Sequence, residues 1–447
     1  MSRKSDLAAT AFLNIAWAVL LISNPLMMNY GSQTLARSDI FSGLSVIVLS
    51  SLMLFMKKPW IRWLICSVGI WLVLAPLVFW APTAAEYSND TLLGLLILAS
   101  SAILPGIGAV SHDASDIPRG WSYNPSSWSQ RLPIIGLAFA GFLIAKYLAA
   151  FQLGHIDAVW DPFFGDGTER ILKSDVSRAF PVSDAGLGAF SYLLDALSGG
   201  VGDKRRWRTM PWMVVLFGVM IIPPGVTSIT LVILQPTAVG AWCTLCLATA
   251  LIMLFMVPPA IDEVVATFQF LRQSKAQGKS LWKTFWLGDS SIEANPPTRI
   301  SRGSHMQPQS RVPLNLILST LLGAWLMFMP SIFGLRNLAA HNGHFAGALV
   351  VTFAIIAMSE VARPLRFVNT ILGLWLLAAS WLLDGGNLIG NMSYAVTGMF
   401  LVILSIPMGK VAFSYGSYDR IARWQPFQKK KNHLSEGQKN KRLRRVS

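Results

Sequence analysis

Twelve stretches of mostly apolar residues recur along the chain, at 8–28, 40–56, 61–80, 91–110, 133–153, 183–198, 210–234, 238–259, 314–334, 344–361, 367–384 and 393–410. About 20 such residues let an α-helix cross a bilayer, and within hydrocarbon only helices and closed barrels satisfy their own backbone. The pattern predicts an all-α integral membrane protein of about twelve transmembrane helices. The stretch at 183–198 is the weakest, being short and containing Asp184 and Asp195. The first is read as a span and not a cleaved signal, because its apolar core is long and no small-residue cleavage site follows it. Composition agrees. Of the 447 residues only 13% are charged, against about 25% in soluble domains, too few to clothe a soluble surface of this size. Disordered, collagen-like and disulfide-framework classes are excluded on the same ground.

A net charge of +15 could suit nucleic acid, but its distribution follows a membrane rule. With the N-terminus inside, 31 of the 37 Lys and Arg fall on one side, in the N-terminus, at 57–62, 119–131, 204–208, 272–311 and 363–366, and from Lys410 onward. This is the positive-inside asymmetry. It predicts that both termini are cytoplasmic and that loops 154–182 and 235–239 face the other side, the periplasm if the membrane is a bacterial inner (plasma) membrane. The basic run from Lys429 to Arg445 reads as an anchor beside anionic membrane lipid, and no nucleic-acid partner is expected. Segment 262–312 opens amphipathically with Val264, Val265, Phe268 and Leu271, and is expected to lie on the inner membrane surface.

The two ends of the chain resemble each other. Gly43 matches Gly347, Gly69-Ile70-Trp71 matches Gly373-Leu374-Trp375, and Gly94 matches Gly398, all 304 residues apart, while Lys58-Pro59 matches Arg363-Pro364 at 305. Each copy is a four-helix unit. Trp-rich spans with Ser23-Asn24-Pro25 or Ala379-Ser380-Trp381 near their ends are similar to SPW-repeat membrane proteins. The expected organisation is an N-terminal unit at 1–118, a central four-helix bundle at 119–275, a cytoplasmic linker at 276–312, a C-terminal unit at 313–412 and a basic tail at 413–447. The repeats supply scaffold, and the unique insert is where chemistry is sought.

Three cysteines are too few for a disulfide framework, but Trp242-Cys243-Thr244-Leu245-Cys246 opens the eighth span. C-x-x-C sets two sulfurs one helical turn apart, within disulfide reach after modest adjustment. A helix N-terminus lowers the thiolate pKa and favours exchange. Redox chemistry, metal binding and simple packing remain open from the motif alone. Metal is weakest, since zinc wants four ligands and His155 would add only one. Cys66, in the middle of the third span, reads as a small packing residue.

The layout from Arg131 to Arg272 is four spans with a long outer loop after the first. The loop runs Trp160-Asp161-Pro162-Phe163-Phe164-Gly165-Asp166-Gly167-Thr168, then through Ser174 to a Phe180-Pro181 turn and into Gly186 to Tyr192. This region resembles the vitamin K epoxide reductase family, four-helix membrane thiol oxidoreductases. The resemblance implies that Cys243 and Cys246 are catalytic, cycling between dithiol and disulfide. It implies a lipid quinone (menaquinone or ubiquinone) as electron partner, with Ser174, Tyr192, Lys146 and Trp242 as candidate quinone-binding residues and no metal. It also implies a separate periplasmic thioredoxin-like protein as thiol partner. The sequence departs from the family at one point: the outer loop lacks the cysteine pair that relays electrons to the C-x-x-C, and Trp160 and Thr168 fall near those positions.

Lys146 lies about two turns from the outer end of its span, free to snorkel to the interface or to meet a quinone or a carboxylate, Asp184 among them. Asp195 is expected nearer the inner face beside Lys204 and Arg205. Asp157, Asp161, Asp166 and Glu169 make the outer loop acidic without the alternating pattern of a calcium loop, and read as solvated or salt-bridged. His341 and His344 have metal-like spacing but read as interfacial. Pro223-Pro224-Gly225 should kink the seventh span. Two further function classes stand beside the oxidoreductase: a non-catalytic membrane scaffold or partner-binding protein that retains the bundle, and a transporter, suggested by the span count and repeat but short of intramembrane charges.

Overall fold

The computed structural model describes residues 2–27, 30–103, 116–289 and 312–424. The first unit is α1 (Ser2–Met27), α2 (Gln33–Met56), α3 (Ile61–Val78) and α4 (Ala84–Ala102). The central region is α5 (Trp128–Gln152), the short α6 (Gly167–Lys173) in the outer loop, α7 (Asp184–Gly200), the one-turn α8 (Arg206–Thr209), α9 (Pro211–Leu234) and α10 (Thr244–Ala276). A short α11 (Leu281–Leu287) leads towards the last unit, α12 (Leu314–Ile332), α13 (Asn337–Ile356), α14 (Arg366–Leu382) and α15 (Leu388–Ser405), and a final turn α16 (Asp419–Ala422) follows.

Ten of these helices are long and apolar enough to cross a membrane. Two expected spans, α4 and α7, fall short of that measure for a physical reason. The outer half of α4 carries Glu86, Asn89 and Asp90. Helix α7 has 17 residues, about 25 Å of helix, and includes two aspartates. Both are shielded: α4 packs on α3 and α1, and α7 on α5 and α9. Apolar sequence makes a span where lipid is the neighbour; where protein is the neighbour, polar residues are admitted.

The two outer units repeat in three dimensions. The Trp71 indole N–H donates to Ser38 Oγ at 2.9 Å, and Trp375, 304 residues on, donates to Asn342 Oδ1 at 2.7 Å. Helices α3 and α4 cross at Gly69 and Gly94, α14 and α15 at Gly373 and Gly398. A Cβ added at Gly94 would stand 2.9 Å from the Gly69 carbonyl, and one at Gly398 would stand 2.6 Å from that of Gly373. Only glycine lets these backbones approach so closely.

Between them, Phe142, Tyr192, Phe217, Ile221, Met253, Met256 and Val257 form the core of the α5–α7–α9–α10 bundle. Residues 262–276, the amphipathic opening of the polar segment, continue α10 into a single element of 33 residues, about 50 Å long. Polar contacts hold this extension to protein instead of lipid. Arg206 forms a bidentate pair with Glu263 at 2.5 and 2.6 Å, Tyr123 donates to Asp262 at 2.6 Å, and Trp121 donates to Gln269 at 3.1 Å. Arg131 Nε and Nη2 donate to the carbonyls of Gly199 and Val201 at 2.7 and 2.8 Å, closing the C-terminal end of α7. Residues 413–418, the start of the expected tail, pack on the same end of the bundle: Tyr415 is buried, and its backbone bridges to Trp121.

Candidate functional site

Cys243 is the N-cap of α10, in extended backbone. Its sulfur is bonded to that of Cys246, with the Cα atoms 5.3 Å apart. The Cys246 backbone N–H points at Cys243 Sγ, 3.0 Å away. This is the donor that would stabilise a thiolate there after reduction. The preceding turn is built for this placement. Gln235 opens a π-helical turn, Gln235–Val239, ended by Gly240 at φ +68°. The buried Gln235 side chain accepts the Cys243 N–H at 3.0 Å, and its carbonyl accepts the Ala241 N–H at 3.2 Å.

The two sulfurs face different surroundings. Cys243 is fully buried, while Cys246 is half-buried and lines a cavity of about 130 Å³. Its walls are Ala145 and Leu148 from α5, Leu172 from α6, Tyr192 from α7 and Leu231 and Val232 from α9. Ser174 lies at its outer end, where a wider polar cleft lined by Arg170, Lys173 and Asp175 adjoins it. Two of the four candidate quinone-binding residues thus border the cavity, and both polar groups are engaged: Ser174 Oγ donates to the Ile171 carbonyl at 2.7 Å and the Tyr192 hydroxyl to that of Thr249 at 2.6 Å.

Lys146 and Trp242 lie elsewhere. The Lys146 ammonium sits 5.5 Å above the Tyr87 ring of α4, a cation–π contact. The anticipated carboxylate partners are not there: Asp184 accepts from the Gln152 amide at 2.5 Å. Asp195 does not reach Lys204 or Arg205. It is fully buried with both oxygens unpaired, and Arg205 pairs with Asp116 and Asp203. Trp242 packs outward onto the C-terminal unit, with ring centroids 5.0 Å from Phe328 and 5.5 Å from His344. His344 is buried and its Nδ1 faces the Met327 carbonyl at 2.6 Å. Among the described residues no group of three His, Cys, Asp or Glu is placed to hold a metal ion. Cys66 is buried in the central core, unbonded.

The residue that sequence reasoning missed is Asp161. Its Oδ1 accepts the backbone N–H groups of Phe163 and Phe164 at 3.1 and 3.0 Å, and its Oδ2 accepts from Thr168, N–H at 3.1 Å and hydroxyl at 2.6 Å. The Thr244 hydroxyl, between the two cysteines, also bonds to it. Burial raises this carboxyl, but the hydrogen bonds from Thr168, Thr244, Phe164 and Phe163 outweigh it and hold the group well below the usual carboxylate range. An ionised aspartate therefore fastens the loop onto the α10 N-terminus, through Thr168 on one side and Thr244 on the other. Gly167 completes the closure, since a Cβ there would overlap the Trp242 carbonyl. The only signal in the sequence was Asp161-Pro162, a turn opener whose carboxylate caps the next amides.

Residues 132–261 match the family model of the vitamin K epoxide reductase family. Residues 8–104 and 314–407 each match that of the SPW repeat domain. The central bundle is thus flanked on both sides by repeat units, as the sequence implied. No curated protein and no solved structure matches the chain.

Proposed function

We propose that the protein exchanges electrons between the Cys243–Cys246 pair and a lipid quinone, acting as a membrane thiol oxidoreductase. The observation that carries this reading is Cys246 opening into an apolar cavity among membrane helices, in a segment matched by a quinone-linked thiol oxidoreductase family. The residues suit a quinone head group: apolar walls, with the Ser174 and Tyr192 hydroxyls at the border, each of which would have to leave its backbone carbonyl to donate to a quinone oxygen. The cavity, about 130 Å³, is smaller than the ~300 Å³ at the low end of ligand sites, so it takes a ring and not the isoprenoid tail. Menaquinone and ubiquinone are both compatible.

The electrons balance as follows. A partner dithiol attacks the Cys243–Cys246 disulfide, forms a mixed disulfide and leaves oxidised, passing two electrons and two protons to the pair. The resulting dithiol gives the same two electrons and two protons to the quinone, restoring the disulfide and releasing quinol. Cys246 serves the cavity side. Cys243, whose thiolate would be held by the Cys246 N–H, serves a separate thioredoxin-like protein from the periplasmic side once the Asp161 loop lifts. Lys146 and Trp242 act on this site through packing. The placement is a bacterial inner membrane with both termini cytoplasmic, supported by the Arg-rich end of the bundle lying opposite the sulfurs.

A second reading, a non-catalytic scaffold, is favoured by the fully buried Cys243 beneath a loop without cysteines. Quinone absorbance, followed with purified full-length protein in lipid discs and a dithiol donor, separates the two. Cys243→Ser and Cys246→Ser should each reduce turnover to background while Cys66→Ser retains it; full turnover in the double serine variant would sink the enzyme. Tags at Gly165 and Gly278 should be reached from opposite faces of the membrane.

A further inference from the structure

The N-terminal unit holds three carboxyl groups that nothing in the redox reading uses. Asp39 on α2 and Asp90 on α4 are fully buried, and Glu86, one turn before Asp90, is 2% exposed. Asp39 is directed at Asp90 and at the Tyr30 hydroxyl. Glu86 Oε1 accepts the Gly31 N–H at 2.5 Å. Both oxygens of Asp39, Oε2 of Glu86 and Oδ2 of Asp90 have no hydrogen-bond partner. No described Lys, Arg or His forms an ion pair with any of the three. Of the charged or titratable groups on neighbouring elements, Lys146 and His155 pack against Tyr87 instead, and Arg37 on α2 makes no ion pair. Asn24 and Asn89 hydrogen-bond each other, and Asn89 also donates to Tyr30 at 2.9 Å.

Three ionised carboxylates cannot stand side by side in such surroundings. An unpaired buried charge costs far more than neutralising it, and like charges sharing a site suppress one another's ionisation. Something must compensate them. A metal ion does not fit, because no three such side chains converge closely enough to hold one among the described residues. A proton does: between Asp39 and Asp90 it converts a repulsive contact into a hydrogen bond.

The fold itself does not require the cluster, as the C-terminal unit shows. At the positions 304 residues on stand Gly343, Gly390 and Tyr394. There the Tyr394 ring fills the space, its hydroxyl donating to the Ala339 carbonyl at 2.6 Å, and a Cβ at Gly343 would lie 2.5 Å from that hydroxyl. Leu335 packs into the space beside Gly390. One copy of the repeat is closed with a tyrosine and a leucine, and the other with three acids.

We propose that Asp39, Glu86 and Asp90 form a proton-binding site at the outer end of the N-terminal unit, with Asp39 and Asp90 sharing a proton. Infrared spectroscopy of the full-length protein in lipid discs tests it. Near neutral pH the wild type should show a protonated-carboxyl stretch that loses one carboxylic-acid equivalent in Asp90→Asn and in Asp39→Asn. Thermal stability of the wild type should fall as pH rises, since the folded state then loses its bound proton, and the variants should lack that dependence. Should either amide variant fail to fold, the double variant Asp39→Gly, Asp90→Tyr, carrying the residues of the other unit, takes its place in both measurements. An unchanged stretch in the variants would overturn the proposal. So would retention of radioactive sodium or calcium by the wild type and not by Asp90→Asn, which would make the ligand a metal cation.

Discussion

The two repeat units share helix order, glycine crossings and a tryptophan hydrogen bond in register, yet they meet the central bundle differently. The N-terminal unit shares its core with it, Cys66, Val73 and Leu98 packing with Phe142 and Leu193, and adds polar contacts at one end: the Trp80 indole donates to the Pro181 carbonyl at 3.2 Å and His155 Nε2 lies 2.7 Å from the Ala81 carbonyl. The C-terminal unit lays α13 on α9 and α10, donates from Ser359 to Asp262 at 2.8 Å at one end, and at the other forms an aromatic stack beside the sulfurs, in which Trp242 and Phe164 close on Phe328 and His344. Duplication preserves what the four helices need from each other. What faces the insert, and what fills each interior, is free to diverge, and there the two copies have become different parts.

The sharpest way to break this comparison is Trp242→Ala. Removing a buried tryptophan typically costs about 3–5 kcal/mol, and thermal unfolding should show at least that, with the disulfide more open to reductants. A loss no greater than that of a single hydrogen bond would mean that the stack does not dock the unit.

Asp161→Ala comes next. It releases Phe164 from the same stack, and hydrogen bonds to a charged acceptor are worth about 1.5–3 kcal/mol. The sign with pH follows from the lowered carboxyl: its contribution is complete above about 3.9, the ordinary Asp value, and drains away on acidification below that. The hydrogen-exchange protection factors of 161–173, taken against the intrinsic rate at each pH, should therefore fall in acid for the wild type and be low at every pH in the variant.

A matched pair of glycines probes the shared framework. A Cβ at Gly347 meets backbone at close range, 2.6 Å from Gly323 O and 2.7 Å from Met327 N, whereas at Gly43 it meets the Ile22 side chain at 2.5 Å and backbone only at 3.0 Å, the Ala18 carbonyl. Gly347→Ala should cost about 1–3 kcal/mol, the range for overpacking, and Gly43→Ala less. Equal costs would imply that both crossings are equally rigid.

The smallest effect belongs to Trp80→Phe, which deletes one exposed indole hydrogen bond and should cost about 0.5–1.5 kcal/mol with no change at the sulfurs.

Much of this was legible in the chain. Apolar runs of span length and the spacing of Gly69, Trp71 and Gly94 report constraints that act along one helix or between equivalent helices, so sequence carries them directly. The C-x-x-C announced its own geometry. The rest depends on partners far away in sequence. Asp161 looks like any loop acid until Thr244 arrives 83 residues later. The segment from 262 reads as polar surface sequence until Glu263 and Gln269 find their partners, Arg206 and Trp121. The three acids of the N-terminal unit stood in plain view, and setting them against Gly343, Gly390 and Tyr394 would have flagged them.

The pairing of Trp121 with Tyr415 has a consequence for biosynthesis. Gly416 N–H donates to Gly120 O at 3.0 Å, Ser122 N–H to Ser414 O at 3.2 Å, and Glu360 accepts the N–H groups of Ala412 and Phe413 at 2.9 and 3.1 Å. The end of the central bundle opposite the sulfurs is thus made partly of residues translated after α15. A ribosome can deliver α5 to α10 into the bilayer, but the Trp121 side of that bundle stays unsealed until the chain from Gln277 to Tyr415 has also emerged. Assembly closes in a ring, the last-made segment locking onto the threshold of the middle, and a chain cut short before Tyr415 would leave that seat open for the cell's quality control to find.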